Sequence, residues 1–217
     1  MSSQSATGSA KFVMFITALT AWTALALQQY ILIDNTPGNG LTPLGAVARF
    51  LIFFTVLTNI LVAVSLSTIL LSPASRLGRF FAQPSTLAAI GVYIFIVGVI
   101  YNVVLRRLWS PQGSQKVADE LLHVAVPVMY TIYWFVFAAK DSLKWSHIFR
   151  WLLYPAIYLV YALVRAQPSG FFVYPFLDYE KLGEKTVFIN CLGILALFIF
   201  IGLIFVTFGK YLHKSTK

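Results

Sequence analysis

A hydroxyl side chain becomes a nucleophile only when a base takes its proton, and histidine is the side chain whose ordinary pKa suits that task near neutrality. The chain holds three histidines, at 123, 147 and 213. His123 lies in an apolar stretch that opens with two acids, Asp119 and Glu120, four and three residues before it. On a helix either acid stands one turn from the imidazole and can orient it. The candidate nucleophile is Thr55, within Phe53-Phe54-Thr55-Val56-Leu57-Thr58-Asn59. Thr58 is its neighbour and competitor. Asn59, Asn102 and a tyrosine hydroxyl such as that of Tyr158 are candidate donors to a developing oxyanion. Arg165 is a candidate for orienting a substrate. Together these groups have the chemistry of acyl transfer from an ester.

Other chemistries find little in this sequence. His147 and His213 fall far from His123 in the chain, so no three-ligand zinc set is visible. No glycine-rich phosphate loop, nucleophile elbow or haem-binding histidine pair occurs, and no cofactor is expected. A single cysteine excludes an intramolecular disulfide and any cysteine-based metal cluster.

The elements that must position these residues are set by composition. The chain has 217 residues, of which 59% are hydrophobic and 11% charged. A soluble domain with so few charges could not cover its surface, so a disordered chain and a soluble enzyme are excluded. The net charge of +9 does not argue for nucleic acid, because the basic residues flank apolar runs and form no single patch. The chain reads as one all-α integral membrane domain, 1–217, a bundle of six spanning helices. The spans lie near Lys11–Ile33, Ala46–Ser72, Thr86–Trp109, Ala118–Lys140, His147–Ala166 and Thr186–Tyr211. Each reaches the length needed to cross about 30 Å of hydrocarbon, and continuous apolarity excludes a membrane β-barrel. Ala24-Leu25-Ala26 resembles a signal-peptide cleavage site, but the apolar run around it is too long for a signal sequence. Pro37-Gly38-Asn39-Gly40, Pro73, Pro84 and Ser110-Pro111-Gln112-Gly113 carry turn chemistry between spans. No internal repeat supports an inverted-repeat transporter.

Orientation follows lysine and arginine placement. The face with both termini and loops 2 and 4 holds nine of the 16 basic residues, and the face with loops 1, 3 and 5 holds seven. Both termini are therefore expected in the cytoplasm, with loops 1, 3 and 5 outside. Oligomeric state is not legible.

Polar residues gather toward loops 1, 3 and 5 and repeat at helical spacing. The stripes are Thr17, Thr20, Ala21, Ala24 and Gln28 in span 1; Thr55, Thr58, Asn59 and Val62 in span 2; and Gly91, Gly98 and Asn102 in span 3. Span 4 offers Asp119, His123, Pro127, Tyr130 and Trp134, and span 5 offers Tyr154, Tyr158, Tyr161 and Arg165. Polar groups in hydrocarbon need partners or a purpose. One stripe per helix predicts an inward cavity with greasy walls and a few polar groups, suited to an amphiphile. At about 1.5 Å of rise per residue, Thr55 sits about 13 Å below the boundary at Ala46 and His123 about 8 Å below that at Ala118. A threonine can equally bond back to its own helix, asparagines can join helices, and Arg165 can snorkel to the headgroups.

At Phe53–Asn59 and at Leu122-His123-Val124-Ala125-Val126-Pro127, the chain resembles the androgen-induced-gene family, which includes the androgen-dependent tissue-factor-pathway-inhibitor regulating protein. Tyr154-Pro155, Arg165 and Tyr174-Pro175-Phe176-Leu177-Asp178 look like the span-5 exit of the family's bacterial branch. The resemblance implies six spans, cytoplasmic termini and a bacterial cell membrane. It implies a threonine hydrolase of fatty acid esters of hydroxy fatty acids, with Thr55 as nucleophile and His123 as base. A lipid or fatty-acyl substrate is thus the expected partner. The alternative is a membrane protein that binds or transports a lipid or small molecule without cleaving it.

Overall fold

The computed structural model describes residues 7–35, 42–140 and 142–215. The predicted turn at Pro37-Gly38-Asn39-Gly40 lies outside them. Among the described residues there is no strand, and six helices are long and apolar enough to cross a membrane: Gly8–Asp34, Phe54–Leu71, Pro84–Arg107, Gly113–Phe137, His147–Gln167 and Glu184–Leu212. The protein is an all-α multi-pass membrane protein.

Local chemistry explains most of the boundaries. Helix α1, Gly8–Asp34, starts at Thr7, whose hydroxyl accepts from the Ala10 amide at 3.3 Å. A short helix, α2 (Pro43–Phe50), follows loop 1, with proline at its first position and Thr42 capping the Gly45 amide at 3.1 Å. The second spanning helix is α3, Phe54–Leu71. Its 18 residues rise about 27 Å, close to the hydrocarbon thickness. Helix α4, Arg76–Phe81, lies in loop 2 and is capped by Ser75. Proline again opens α5, Pro84–Val103, which ends in a 3₁₀ turn at Leu105–Arg107.

Span 4 is composite. Helix α6, Gly113–Glu120, runs into a π-helical turn at Leu121–Ala125 and on into α7, Val126–Phe137. Span 5 combines α8, His147–Trp151, with α9, Leu153–Ser169, which Gly170 closes at φ 61°. A 3₁₀ turn at Pro175–Leu177 and helix α10, Tyr179–Leu182, lead to α11, Glu184–Ser215.

One expectation fails. The apolar run Ala46–Ser72 predicts a single helix, yet the chain breaks at Leu51–Phe53 and divides it into α2 and α3. Neither glycine nor proline marks the break. It is held from outside, because the Tyr158 hydroxyl donates to the Ile52 carbonyl at 2.9 Å. The depth counted for Thr55 along one helix from Ala46 therefore does not apply. Thr55 is the second residue of α3.

The core sits among spans 1 to 4 and α11. Ala21 and Ala24 of α1 and Val62, Ala63 and Leu66 of α3 are wholly buried in the contact between those helices. The Trp134 and Phe205 rings pack with centroids 4.4 Å apart and planes tilted by 38°, with Gly91 leaving room for the Phe205 ring. The Tyr93 hydroxyl donates to the Trp151 carbonyl at 2.7 Å and ties α5 to α8.

Candidate active site

The site begins with two helical irregularities that face each other. At the start of α3 the N-cap residue is Phe53, which has no side-chain oxygen. The first intrahelical bond runs from the Leu57 amide to Phe53 O at 3.1 Å. The amides of Phe54 and Thr55 thus have no partner within the helix. The Tyr174 hydroxyl, from loop 5, takes up this position against both amides and the Thr55 hydroxyl. Burial raises the Tyr174 pKa above the ordinary phenol value, while those donors pull it back.

The second irregularity is the π-helical turn that carries His123. Pro127 lacks an amide hydrogen, so carbonyls one turn upstream lose a helical donor. Two asparagines make up the loss. Asn59 Nδ2 donates to Leu122 O at 3.2 Å and to Thr55 O at 2.8 Å. Asn102 Nδ2 donates to His123 O at 3.3 Å and to Gly98 O at 2.8 Å. Gly98 permits the approach, since a Cβ there would lie 3.1 Å from Pro127 Cβ and 3.4 Å from His123 O. Asn59 thereby joins the carbonyl of Thr55 to the turn that bears His123.

The imidazole is held at Nδ1 and on one face. Nδ1 lies 2.9 Å from the Asp119 carbonyl and 3.3 Å from Asp119 Oδ1. The Tyr101 ring stacks on it with centroids 4.0 Å apart and planes 16° apart. The Tyr101 hydroxyl donates to Asp119 Oδ2, so the buried carboxylate is held at both oxygens. With two acceptors at Nδ1, the hydrogen belongs on that nitrogen, and Nε2 is the basic one. Nε2 has no hydrogen-bond partner among the described residues.

Thr55 and His123 line one cavity of about 560 Å³. Its polar side chains include Gln28, Arg49, Gln115 and Asp119. Gln28 and Gln115 bond each other through both amide groups, at 2.8 and 3.3 Å, and Arg49 stacks over Phe171 at 4.6 Å. A second cavity of about 350 Å³ also reaches Thr55, and its walls are almost wholly apolar. Thr55, Tyr101, Leu105 and Tyr174 line both.

The remaining candidates take other places. Asp119, four residues before the histidine, is the acid that meets it. Glu120 turns the other way and pairs with Arg106 at 2.8 Å, each side chain about 40% exposed. Asn59 and Asn102 spend their amide hydrogens on carbonyls and line neither cavity, so they brace the site and do not face an oxyanion. Thr58 also lines neither; its hydroxyl meets the Tyr154 hydroxyl at 3.2 Å. Tyr158 lines the smaller cavity, with its hydroxyl on Ile52 O. Arg165 is exposed and outside both linings.

Arg49 and Tyr101 belong to the site without having been singled out from the sequence, and Tyr174 stood out there only as part of the span-5 exit segment. Thr42-Pro43, a cap followed by a first-position proline, was the available sign that the helix bearing Arg49 starts there. Tyr101 offered only its place one residue before Asn102.

Two further titratable groups outside the spans have shifted pKa values. Loop 5 is pinned by Asp178, which caps α10 and pairs with Lys181 Nζ at 3.1 Å. Partial burial raises the Asp178 pKa, but Lys181 and the helix amides outweigh it and hold the carboxyl below its ordinary value. Beyond α7, burial pushes Lys140 down to about 8. Among the described residues no three His, Cys, Asp or Glu side chains converge as metal ligands. No family model, curated protein or solved structure matches the chain.

Proposed function

We propose that this protein is an intramembrane carboxylic ester hydrolase acting on acyl lipids, with Thr55 as nucleophile and His123 as general base. The observation that carries the reading is that Thr55 and His123 line one cavity, with His123 Nδ1 engaged by the buried Asp119. Nucleophile from one span, and base and orienting acid from another, are the minimal set for acyl transfer. Nε2 of His123 takes the Thr55 proton as Oγ attacks the ester carbonyl, and Asp119 stabilises the imidazolium. The Phe54 and Thr55 amides at the start of α3 are the natural donors to the oxyanion once substrate displaces the Tyr174 hydroxyl from them, because the nucleophile's own amide lies beside its hydroxyl.

The resemblance to the androgen-induced-gene family supports fatty acid esters of hydroxy fatty acids as the substrates. Arg49, a cation on the wall of the larger cavity, is suited to the free carboxylate of such a molecule. We read the protein as seated in a bacterial cell membrane with both termini in the cytoplasm, on the charge bias and the same resemblance.

A fluorophosphonate probe tests the nucleophile. Wild-type protein is expected to be labelled and the Thr55→Ala variant is not; equal labelling of the two would falsify the assignment. Binding or transport without cleavage is the rival reading. It predicts no ester turnover by the purified protein and no difference between wild type and His123→Ala.

A further inference from the structure

We propose that the two cavities are the two halves of one substrate site: the acyl chain lies in the apolar cavity of about 350 Å³ and the alcohol portion in the larger cavity of about 560 Å³. The inference rests on the hydrolase reading and goes further, because it assigns a side to each part of the ester.

The order of proton transfers fixes that assignment. The base that receives the Thr55 proton must next deliver it to the departing alcohol oxygen. As the Thr55 Oγ–carbon bond forms, the carbon–alcohol oxygen bond breaks, and the alcohol leaves with the proton held by Nε2 of His123. Water then adds to the acyl-threonine, gives a proton to His123, and the acid departs as Thr55 Oγ recovers that proton. His123 lines the larger cavity and not the smaller one. The alcohol oxygen must therefore lie on the side of the larger cavity. Thr55 stands at the junction, so the rest of the acyl group extends the other way.

The walls match this division. Ile96, Leu152, Leu159, Leu195 and Phe198 line the smaller cavity, and apart from Cys191 its polar side chains are Thr55 and three tyrosines. It lies between α9 and α11, and residues on its rim, Ala156, Leu192 and Leu195, are exposed on the lipid-facing surface. A single alkyl chain can slide in sideways from the bilayer. The larger cavity carries Gln28, Arg49, Gln115 and Asp119, which suit the more polar part.

Cys191, the single cysteine of the chain, lines the smaller cavity and reports on its occupancy. The full-length protein in nanodiscs is treated with N-ethylmaleimide, with and without decanoic acid, and alkylation of Cys191 is followed by mass spectrometry. Decanoic acid is expected to slow alkylation at least fivefold, and dodecyl fluorophosphonate to do the same in wild type but not in Thr55→Ala. A second arm compares p-nitrophenyl esters of four and twelve carbons. Leu195→Trp is expected to shift the ratio of their kcat/KM values at least tenfold toward the short ester. Undiminished alkylation under both ligands, or a Leu195→Trp variant with the wild-type ratio, overturns the assignment. If the wild type neither turns over esters nor takes up the probe, the hydrolase reading falls; protection by decanoic acid alone then leaves the chain site standing as a binding site.

Discussion

Two helix pairs in this bundle meet in opposite ways. Helices α1 and α3 pack along much of their length through Ala21, Ala24 and Ala63, which have no exposed surface. Hydroxyls in this region turn back on their own helices: Thr17 donates to Val13 O at 2.7 Å and Thr68 to Val64 O at 2.6 Å. Helices α9 and α11 have no comparable contact. There α9 reaches its neighbours through long side chains, as Tyr154 and Tyr158 do with the Phe54 ring at 5.2 and 5.0 Å. In lipid no hydrophobic force draws helices together, so close approach depends on small residues. Where alanines give way to tyrosine, leucine and phenylalanine, backbones separate and a space the width of an alkyl chain remains. The cavity beside Thr55 follows from which residues the helices present.

The largest effects should come where the two arrangements meet, at the reacting groups. Thr55→Ala and His123→Ala are each expected to lower ester turnover by about 10³-fold or more, in line with loss of one member of a nucleophile–base set. Thermal unfolding in detergent should change little in either variant. Thr58→Val separates the two threonines. It loses the contact with the Tyr154 hydroxyl, costs about 1 kcal/mol of stability and keeps most of the turnover. A Thr58→Val variant as inactive as Thr55→Ala would move the nucleophile by one turn of α3.

Asp119→Asn comes next. The substitution keeps the shape and removes the charge that supports the imidazolium, so kcat should fall by about 10²–10⁴-fold. Glu120→Gln loses only an exposed pair with Arg106 and should change stability by less than about 1 kcal/mol, with turnover preserved. The two acids are adjacent in sequence and differ in what they face, so the pair of variants tests orientation directly.

The helix pairs themselves can be tested with one substitution on each side. Ala21→Leu inserts bulk where there is none to spare and should destabilise the protein by about 1–3 kcal/mol. Ala156→Leu adds similar bulk at the rim of the apolar cavity, where a side chain can turn toward lipid. Its melting temperature should stay near wild type, with the effect appearing in substrate preference. Equal destabilisation by both would mean that α9 is as closely packed as α1.

Sequence and structure part company at particular residues. The six spans were legible because long apolar runs need no knowledge of neighbours. The stripes were legible for the same reason: Thr17, Ala21 and Ala24, and Tyr130 and Trp134, are buried as their spacing predicts. The break at Leu51–Phe53 was hidden, since the group that holds it, Tyr158, lies more than a hundred residues away in the chain. Spacing left both Asp119 and Glu120 one turn from His123, and only the neighbouring helix, with Tyr101 and Arg106, separates their roles. Asn59 and Asn102 were legible as polar residues at the right level. Their work follows from a proline on another span, and Pro127 was the clue in the sequence to the carbonyls they satisfy. Arg49 fell inside the predicted second span while α2 was merged with it, and Tyr174 reaches Thr55 only through the course of loop 5.

The smallest effects should distinguish the two asparagines. Both donate to carbonyls near the Pro127 interruption, but Asn59 is wholly buried and Asn102 is exposed. Asn59→Ala leaves Leu122 O buried with no donor among the contacts it now makes, and an unsatisfied buried group costs about 1–3 kcal/mol. It also cuts the link that Asn59 makes between Thr55 O and the turn carrying His123, so kcat should fall further than KM changes. Asn102→Ala releases His123 O toward solvent or headgroups, which can replace the lost donor, and should cost about 0.5–1.5 kcal/mol. Thermal melts and steady-state kinetics on the two variants decide the matter. If Asn102→Ala proves the more damaging, the braced side of the π-helical turn is the one facing α5, and Gly98, against which Pro127 rests, becomes the residue that holds His123 in place.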